Sequence, residues 1–173
     1  MKTHQAKLIT GIIASSEKAF LGAEKLLKLK FGPIDYKSKK ADFDVTNYYE
    51  KEMGAGLMRC FYSFAKLIDP AKLPAIKLKT NSFEKRVARY LKATRRAVNI
   101  DPGYITEAKL VLASTKNYYH RILLGRGIFA EITLSFRDGL FRPMEWTYPD
   151  YRTDGYIKIF NEVRDIFMRQ RLK

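Results

Sequence analysis

The sequence predicts one α+β domain over residues 1–173: a ferredoxin-like βαββαβ start, then an antiparallel meander, then a C-terminal helix. Three observations predict it. A buried-strand run at Lys7–Ala14 precedes a segment whose apolar residues recur at spacings of three and four. A second such segment lies between apolar runs at Leu57–Leu67 and Ala97–Asp101, which sets the strand and helix order. The last third carries apolar runs separated by the turn signals Gly125-Arg126-Gly127 and Asp138-Gly139.

Taken in order, Lys7–Ala14 is strand-length and apolar. Ser15 or Ser16 can cap the helix after it, whose inward positions are Phe20, Ala23, Leu27 and Phe31. Gly32 and Pro33 stop that helix. Ile34–Phe43 reads as a second strand, and Asp44–Gly56 as a polar, aromatic connection with a helical turn over Tyr48–Met53. Leu57–Leu67 is apolar on both faces: Cys60, Tyr62 and Phe64 on one, Leu57, Phe61 and Leu67 on the other. That pattern predicts a central strand.

After Asp69-Pro70 comes the clearest helix, with Leu73, Ile76, Thr80, Phe83, Val87 and Leu91 on one stripe. Asn81 with Glu84 also reads as a capping pair, which would break it there. Ala97–Asp101 is a strand ended by Pro102-Gly103. Thr106–Ser114 reads as a short helix capped by Thr106, with a strand as the alternative. His120–Leu124, Ile128–Phe136 and Leu140–Thr147 form the meander, and a final helix from Tyr156 turns Ile159, Val163, Ile166 and Phe167 inward.

Composition excludes several classes. One cysteine, Cys60, cannot build a disulfide framework within the chain. No apolar run approaches the ~20 residues of a membrane span, and Leu8–Ala14 has no small-residue cleavage site well after it. The expected location is the cytoplasm, with no membrane partner. No phosphate-binding loop and no nucleophile elbow appear. His4, His120 and Cys60 cannot make a usual zinc site; a carboxylate-rich magnesium site stays open, but the acidic residues are few and scattered, so no metal site is expected. Nothing names a cofactor or sets an oligomeric state.

The net charge of +15 points to polyanionic partners. It concentrates between Lys72 and Arg96, with nine Lys or Arg against Glu84 alone. Lys77, Lys79, Lys85, Arg86, Arg89 and Lys92 are placed opposite the apolar stripe, where they could track nucleic-acid phosphates; a solvated helix face is the bland alternative. Arg59-Cys60-Phe61-Tyr62-Ser63-Phe64 lacks the glycine of an RNA-binding strand and has Ser63 where an aromatic belongs, so its aromatics read as core.

Two further clusters carry chemistry. Asn99, Asp101 and Tyr104 surround a strand end, with Lys109, Ser114, Thr115, Lys116 and His120 close behind, an assortment able to hold phosphate. Trp146, Tyr148, Tyr151 and Arg152, beside Asp150, could stack and pair with a flat ring. Glu131 alternates with apolar residues and, if buried, needs a partner such as Lys109 or His120. Asp101, His120, Glu131 and Asp150 are the candidate acid–base groups.

These stretches also carry a resemblance. Val98-Asn99-Ile100-Asp101-Pro102-Gly103-Tyr104, Ala108 to Lys116, His120-Arg121-Ile122 and Trp146 to Tyr151 resemble the prokaryotic family catalogued as domain of unknown function 4416, as do Phe31 to Asp35 and Tyr49 to Gly54. The resemblance covers nearly the whole chain. The family is functionally uncharacterised, and its members are often labelled "GTP-binding protein". That label implies a guanine-reading Asn-Lys-x-Asp, and Ser114-Thr115-Lys116-Asn117 does not supply one. The expected function is binding of an anionic partner, RNA or a nucleotide or other phosphorylated ligand. The alternatives are a small enzyme acting on such a ligand and a non-catalytic housekeeping interaction protein.

Overall fold

A computed structural model describes residues 5–44 and 49–172; His4 and Tyr48 lie outside them. β1 (Lys7–Ala14) is buried at all eight positions, because it is flanked on both sides. Ser16 caps α1 (Glu17–Phe31), its Oγ accepting from the Ala19 N–H at 3.2 Å. Gly32 ends the helix at φ 90°, where its N–H donates to the Lys28 carbonyl. The expected strand Ile34–Phe43 is instead two, β2 (Ile34–Lys37) and β3 (Ala41–Asp42). Between them Ser38 exchanges bonds with Phe61 through both its N–H and its Oγ, which takes that stretch out of the regular ladder.

After the one-turn α2 (Glu50–Met53), β4 (Met58–Phe64) is shorter than the apolar run that announced it. A 3-10 turn at Pro70–Lys72, capped by Asp69, leads into α3 (Leu73–Tyr90). That helix is unbroken at Asn81. β5 follows at Val98–Ile105. The sheet order here is β2-β4-β1-β5, with every neighbouring pair antiparallel.

Two expectations fail around Gly103. β5 does not end at Pro102-Gly103, and residues after Thr106 form a strand, β6 (Lys109–Ser114), not a helix. Pro102 is tolerated because β6 joins β5 only at Gly103, Tyr104 and Ile105. Gly103 is required because a Cβ there would collide with the Val111 carbonyl oxygen and sit 2.7 Å from Leu112 Cδ2.

β7 (Ile122–Gly125), β8 (Ile128–Arg137) and β9 (Leu140–Pro143) complete the sheet, β6 pairing with β8 and β8 with both others. Asp138 and Gly139 both have positive φ, 51° and 78°, as their hairpin requires. His120 precedes β7, and β9 stops short of Thr147. Among the described residues the sheet has nine strands.

Its two faces are covered differently. Leu8, Ile12, Tyr62, Phe64 and Ile100 pack under α1 and α3. Ile9, Phe61, Leu112 and Leu134 pack under α4 (Asp154–Arg171). The buried stripe of α4 is Tyr156, Phe160, Val163 and Phe167, each worth about 1.5–3 kcal/mol of burial. Ile159 and Ile166, expected inward, lie at its flank, only partly buried. No helix among the described residues is long and apolar enough to cross a membrane.

The close approach at Gly103 gives a direct expectation. Gly103→Ala should lower stability by about 1–3 kcal/mol through overpacking, read as a lower urea midpoint at unchanged slope. An unchanged midpoint would show that β6 yields without cost.

Candidate functional site

β5 and β6 separate before Gly103, which leaves the β5 edge over Val98–Pro102 without a strand partner on that side. Buried backbone groups cannot be left unpaired without a cost of about 1–3 kcal/mol each. α3 supplies the partners. Glu84 Oε1 accepts from the Ile100 N–H at 2.7 Å, and Lys77 Nζ donates to the Ile100 carbonyl at 3.1 Å. Both side chains are buried. The space between the diverging strands is a cleft of about 1090 Å³, walled by α3, β5, the end of β6 and the segment at Tyr148–Tyr151.

Its floor is built around Arg59, 4% exposed. The guanidinium donates to Asp150 and stands 3.8 Å from Asp101. It lies between the rings of Phe43 at 4.5 Å and Tyr151 at 5.3 Å. Burial works against its charge, but Tyr151, Asp150 and Asp101 outweigh burial and hold it protonated. Burial also opposes the Asp101 anion, yet Lys77 at 3.3 Å and Arg59 keep that carboxyl below its usual range. Asp150 and Glu84 go the other way. Burial raises both, offset in part by Arg59 and by Arg96 respectively. Arg96 bonds to Glu84 at 2.8 Å and to Asn99, whose amide donates to Asp101 at 2.6 Å.

The opposite wall rests on Glu131. Arg121 Nε donates to it at 2.8 Å and His120 Nε2 lies 3.0 Å away. Arg121 also donates to Ser114 Oγ, the Lys116 carbonyl and the Tyr148 hydroxyl. One buried guanidinium thereby shapes the 114–121 segment and ties it to Tyr148. The His120 ring is stacked on Trp146 at 5.2 Å.

The cleft gathers Asn99, Asp101, Ser114, Thr115, Lys116, Glu131, Tyr148, Asp150 and Tyr151 from the two sequence clusters, together with Lys77 and Lys85 of the basic helix. Other expected residues are elsewhere. Lys77 is not on the solvent face: it is 5% exposed and bonded to β5. Lys79, Arg86 and Arg89 are exposed on α3 and Lys92 just beyond its end, all outside the lining.

Tyr104 packs beside Val111 and Ile128, and Lys109 sits at the start of β6, opposite Ser135. Lys109 does not pair with Glu131. Trp146 donates to the Ile132 carbonyl, and Arg152 donates to the carbonyls of Thr147 and Glu145, so both brace the loop and neither lines the cleft. His120 touches Glu131 but is not part of the lining.

The charged lining residues that were not among the sequence candidates are Arg59, Glu84, Arg95, Arg96 and Arg121. A signal for Arg59 existed: it is a lone cation in a strand otherwise apolar on both faces, and a buried charge needs a partner. Among the described residues no group of three His, Cys, Asp or Glu side chains is placed to hold a metal ion.

No curated protein and no solved structure matches the chain. A family model described as "Domain of unknown function (DUF4416)" matches residues 4–167, nearly its whole length, and the chain belongs to that family.

Proposed function

We propose that the chain binds a phosphorylated, nucleotide-like anion in this cleft. The observation that carries the reading is charge. Seven cationic side chains line the cleft against four carboxylates. Each carboxylate is already engaged by a cation: Asp101 by Lys77, Asp150 by Arg59, Glu84 by Arg96 and Glu131 by Arg121. Lys85, Arg95 and Lys116, which take no part in those four pairs, are exposed and line the cleft as well. Tyr148, 43% exposed, offers a ring face beside it. Phosphate at the mouth and a planar group inward is the arrangement this supports. We read β1–β5 as ferredoxin-like on its strand order, the chain as one domain on its continuous sheet, and its place as the cytoplasm.

A second reading extends the first to RNA. Lys79, Arg86 and Arg89 on α3, with Lys92 just past its end, add exposed positive charge to that of Lys85, so a strand could run along the helix with one nucleotide in the cleft. Catalysis is supported less. Asp101, Glu131 and Asp150 share the cleft, but each is bonded to a cation of the chain, Lys77, Arg121 and Arg59 respectively, which gives all three a structural partner.

Thermal denaturation with nucleoside mono-, di- and triphosphates and the bare nucleosides tests the first reading. A phosphorylated compound present at 100 times its dissociation constant should add about 2.7 kcal/mol, a rise of roughly 5–10 °C in Tm for a chain of this size. Lys85→Glu with Lys116→Glu should abolish the rise. No rise with any phosphorylated compound in the unaltered protein would reject the cleft as its site.

Anisotropy of a labelled single-stranded RNA separates the second reading. Binding with a steep negative salt slope, weakened by Arg86→Glu with Arg89→Glu, supports it. No binding at low salt rejects it and leaves the small-ligand reading standing.

The assignment of the carboxylate network to structure has its own check. Arg59→Met should cost about 3–5 kcal/mol, because Asp150 loses its counter-charge and Asp101 keeps only that of Lys77. The stability that Asp101 contributes, its folded pKa being depressed, should be complete above about pH 3.9 and be lost as pH falls through the folded value. In Asp101→Asn that part of the acid limb should be missing.

A further inference from the structure

Of the four carboxylates that line the cleft, three are nearly closed off. The side chains of Glu131, Asp150 and Glu84 are 2%, 8% and 11% exposed. Asp101 stays open at 23%, on the stretch of β5 that β6 does not reach.

Its hydrogen bonding is open as well. An ionised carboxylate has about four acceptor positions, two on each oxygen. Lys77 donates to Oδ1 at 3.3 Å and the Asn99 amide to Oδ2 at 2.6 Å. Arg59 adds its charge from 3.8 Å, beyond hydrogen-bond reach. No other hydrogen bond to this side chain is made among the described residues, so each oxygen keeps one acceptor position.

Lys77 and Arg59 are themselves buried and keep Asp101 ionised against desolvation. An ionised carboxylate accepts and cannot donate, and it repels a second anion. The cleft is therefore polarised: exposed cations Lys85, Arg95 and Lys116 in one part of the lining, an open acceptor at Asp101 in another.

We propose that Asp101 selects the ligand of this cleft by accepting hydrogen bonds from a pair of adjacent donors, one to each carboxylate oxygen. Vicinal hydroxyls of a ribose offer such a pair, and so does the amino-bearing edge of a nucleobase. Carboxylates hold ribose hydroxyls in this way in dinucleotide-binding folds. The inference rests on the reading of the cleft as a site for a phosphorylated, nucleotide-like anion and adds a requirement to it. The ligand has two ends, an anionic one for the exposed cations and a donor-bearing one for Asp101. Inorganic phosphate has only the first.

Calorimetric titration of the whole chain tests this. The compounds are adenosine, guanosine and inosine triphosphates, the dideoxyribose forms of the first two, and inorganic tripolyphosphate. Removing both sugar hydroxyls, or replacing the amino-bearing base by that of inosine, should weaken binding roughly tenfold to a hundredfold. The first result assigns the donors to the sugar, the second to the base. In Asp101→Asn the same deletion should change affinity by less than about threefold, because the amide presents a donor where an acceptor stood. A merely structural role for Asp101 would weaken every ligand alike and leave the ratio between them standing. If Asp101→Asn does not fold, Asp101→Glu, which displaces the two acceptors by one methylene, is read in its place. Equal affinity across the series, or a ratio unchanged in the variant, overturns the proposal and leaves the anion reading of the cleft intact. Binding of none of these compounds overturns both.

Discussion

The structure depends on how the backbone of Ile100 is satisfied. β5 has β1 on one side along its whole length, but β6 on the other only from Gly103 onward. A sheet can open in its interior only if the exposed backbone groups find other partners. Here a helix provides them, with Glu84 taking the N–H and Lys77 reaching the carbonyl. These two residues of opposite charge stand in for a missing strand. The cleft is the space this substitution creates, so α3 cannot be separated from the site: it closes the core with one stripe and completes β5 with the next.

Such a substitution places charges where the core would otherwise be apolar, and the rest of the network follows from that. Lys77 and Arg59 hold Asp101 ionised, while Arg96 pairs with Glu84. A buried ion pair is weak evidence for stability, because desolvation offsets most of its attraction. Its better-attested contribution is geometry. Arg59 connects β4 to the 3-10 turn at Asp150, and Arg121 connects β8 to Tyr148 through Glu131. Both guanidiniums use their planar forks to fix segments that carry no regular ladder.

Where periodicity has a local cause, the sequence was readable. The stripe of α3, the cap of α1 and the Asp138-Gly139 hairpin each rest on a few neighbouring residues and appear as expected. β6 reads as a helix first and as a strand second, because a six-residue apolar run carries no period that separates the two; the collision of any Cβ at Gly103 with that run is what reveals the pairing.

The polar clusters at Asn99–Lys116 and Tyr148–Tyr151 do meet in one cleft, although nothing in their spacing required it. Lys77 was placed on the wrong face because it lies only one helical step from the apolar stripe. At that boundary a long side chain either reaches solvent or turns inward, and the unsatisfied carbonyl on β5 decides which. Arg59, Arg96 and Arg121 owe their importance to partners 10 to 91 residues away, and no local pattern encodes those.

The same topology explains why the aromatic strand is not a binding platform. Phe61 faces away from α1 and α3, the side on which an open sheet could stack bases. That side is closed. Phe61 is 2% exposed and meets Tyr151, Tyr156 and Phe160 edge-on at 5.8, 4.9 and 5.0 Å. Covering the face with α4 gives a second core and removes the flat surface. A ligand must then enter from the side, where β5 and β6 part. That entry is bordered by Lys85, Arg95 and Lys116, so the positive charge around the cleft opening and the burial of the aromatic strand follow from one arrangement of the C-terminal helix and the turn before it.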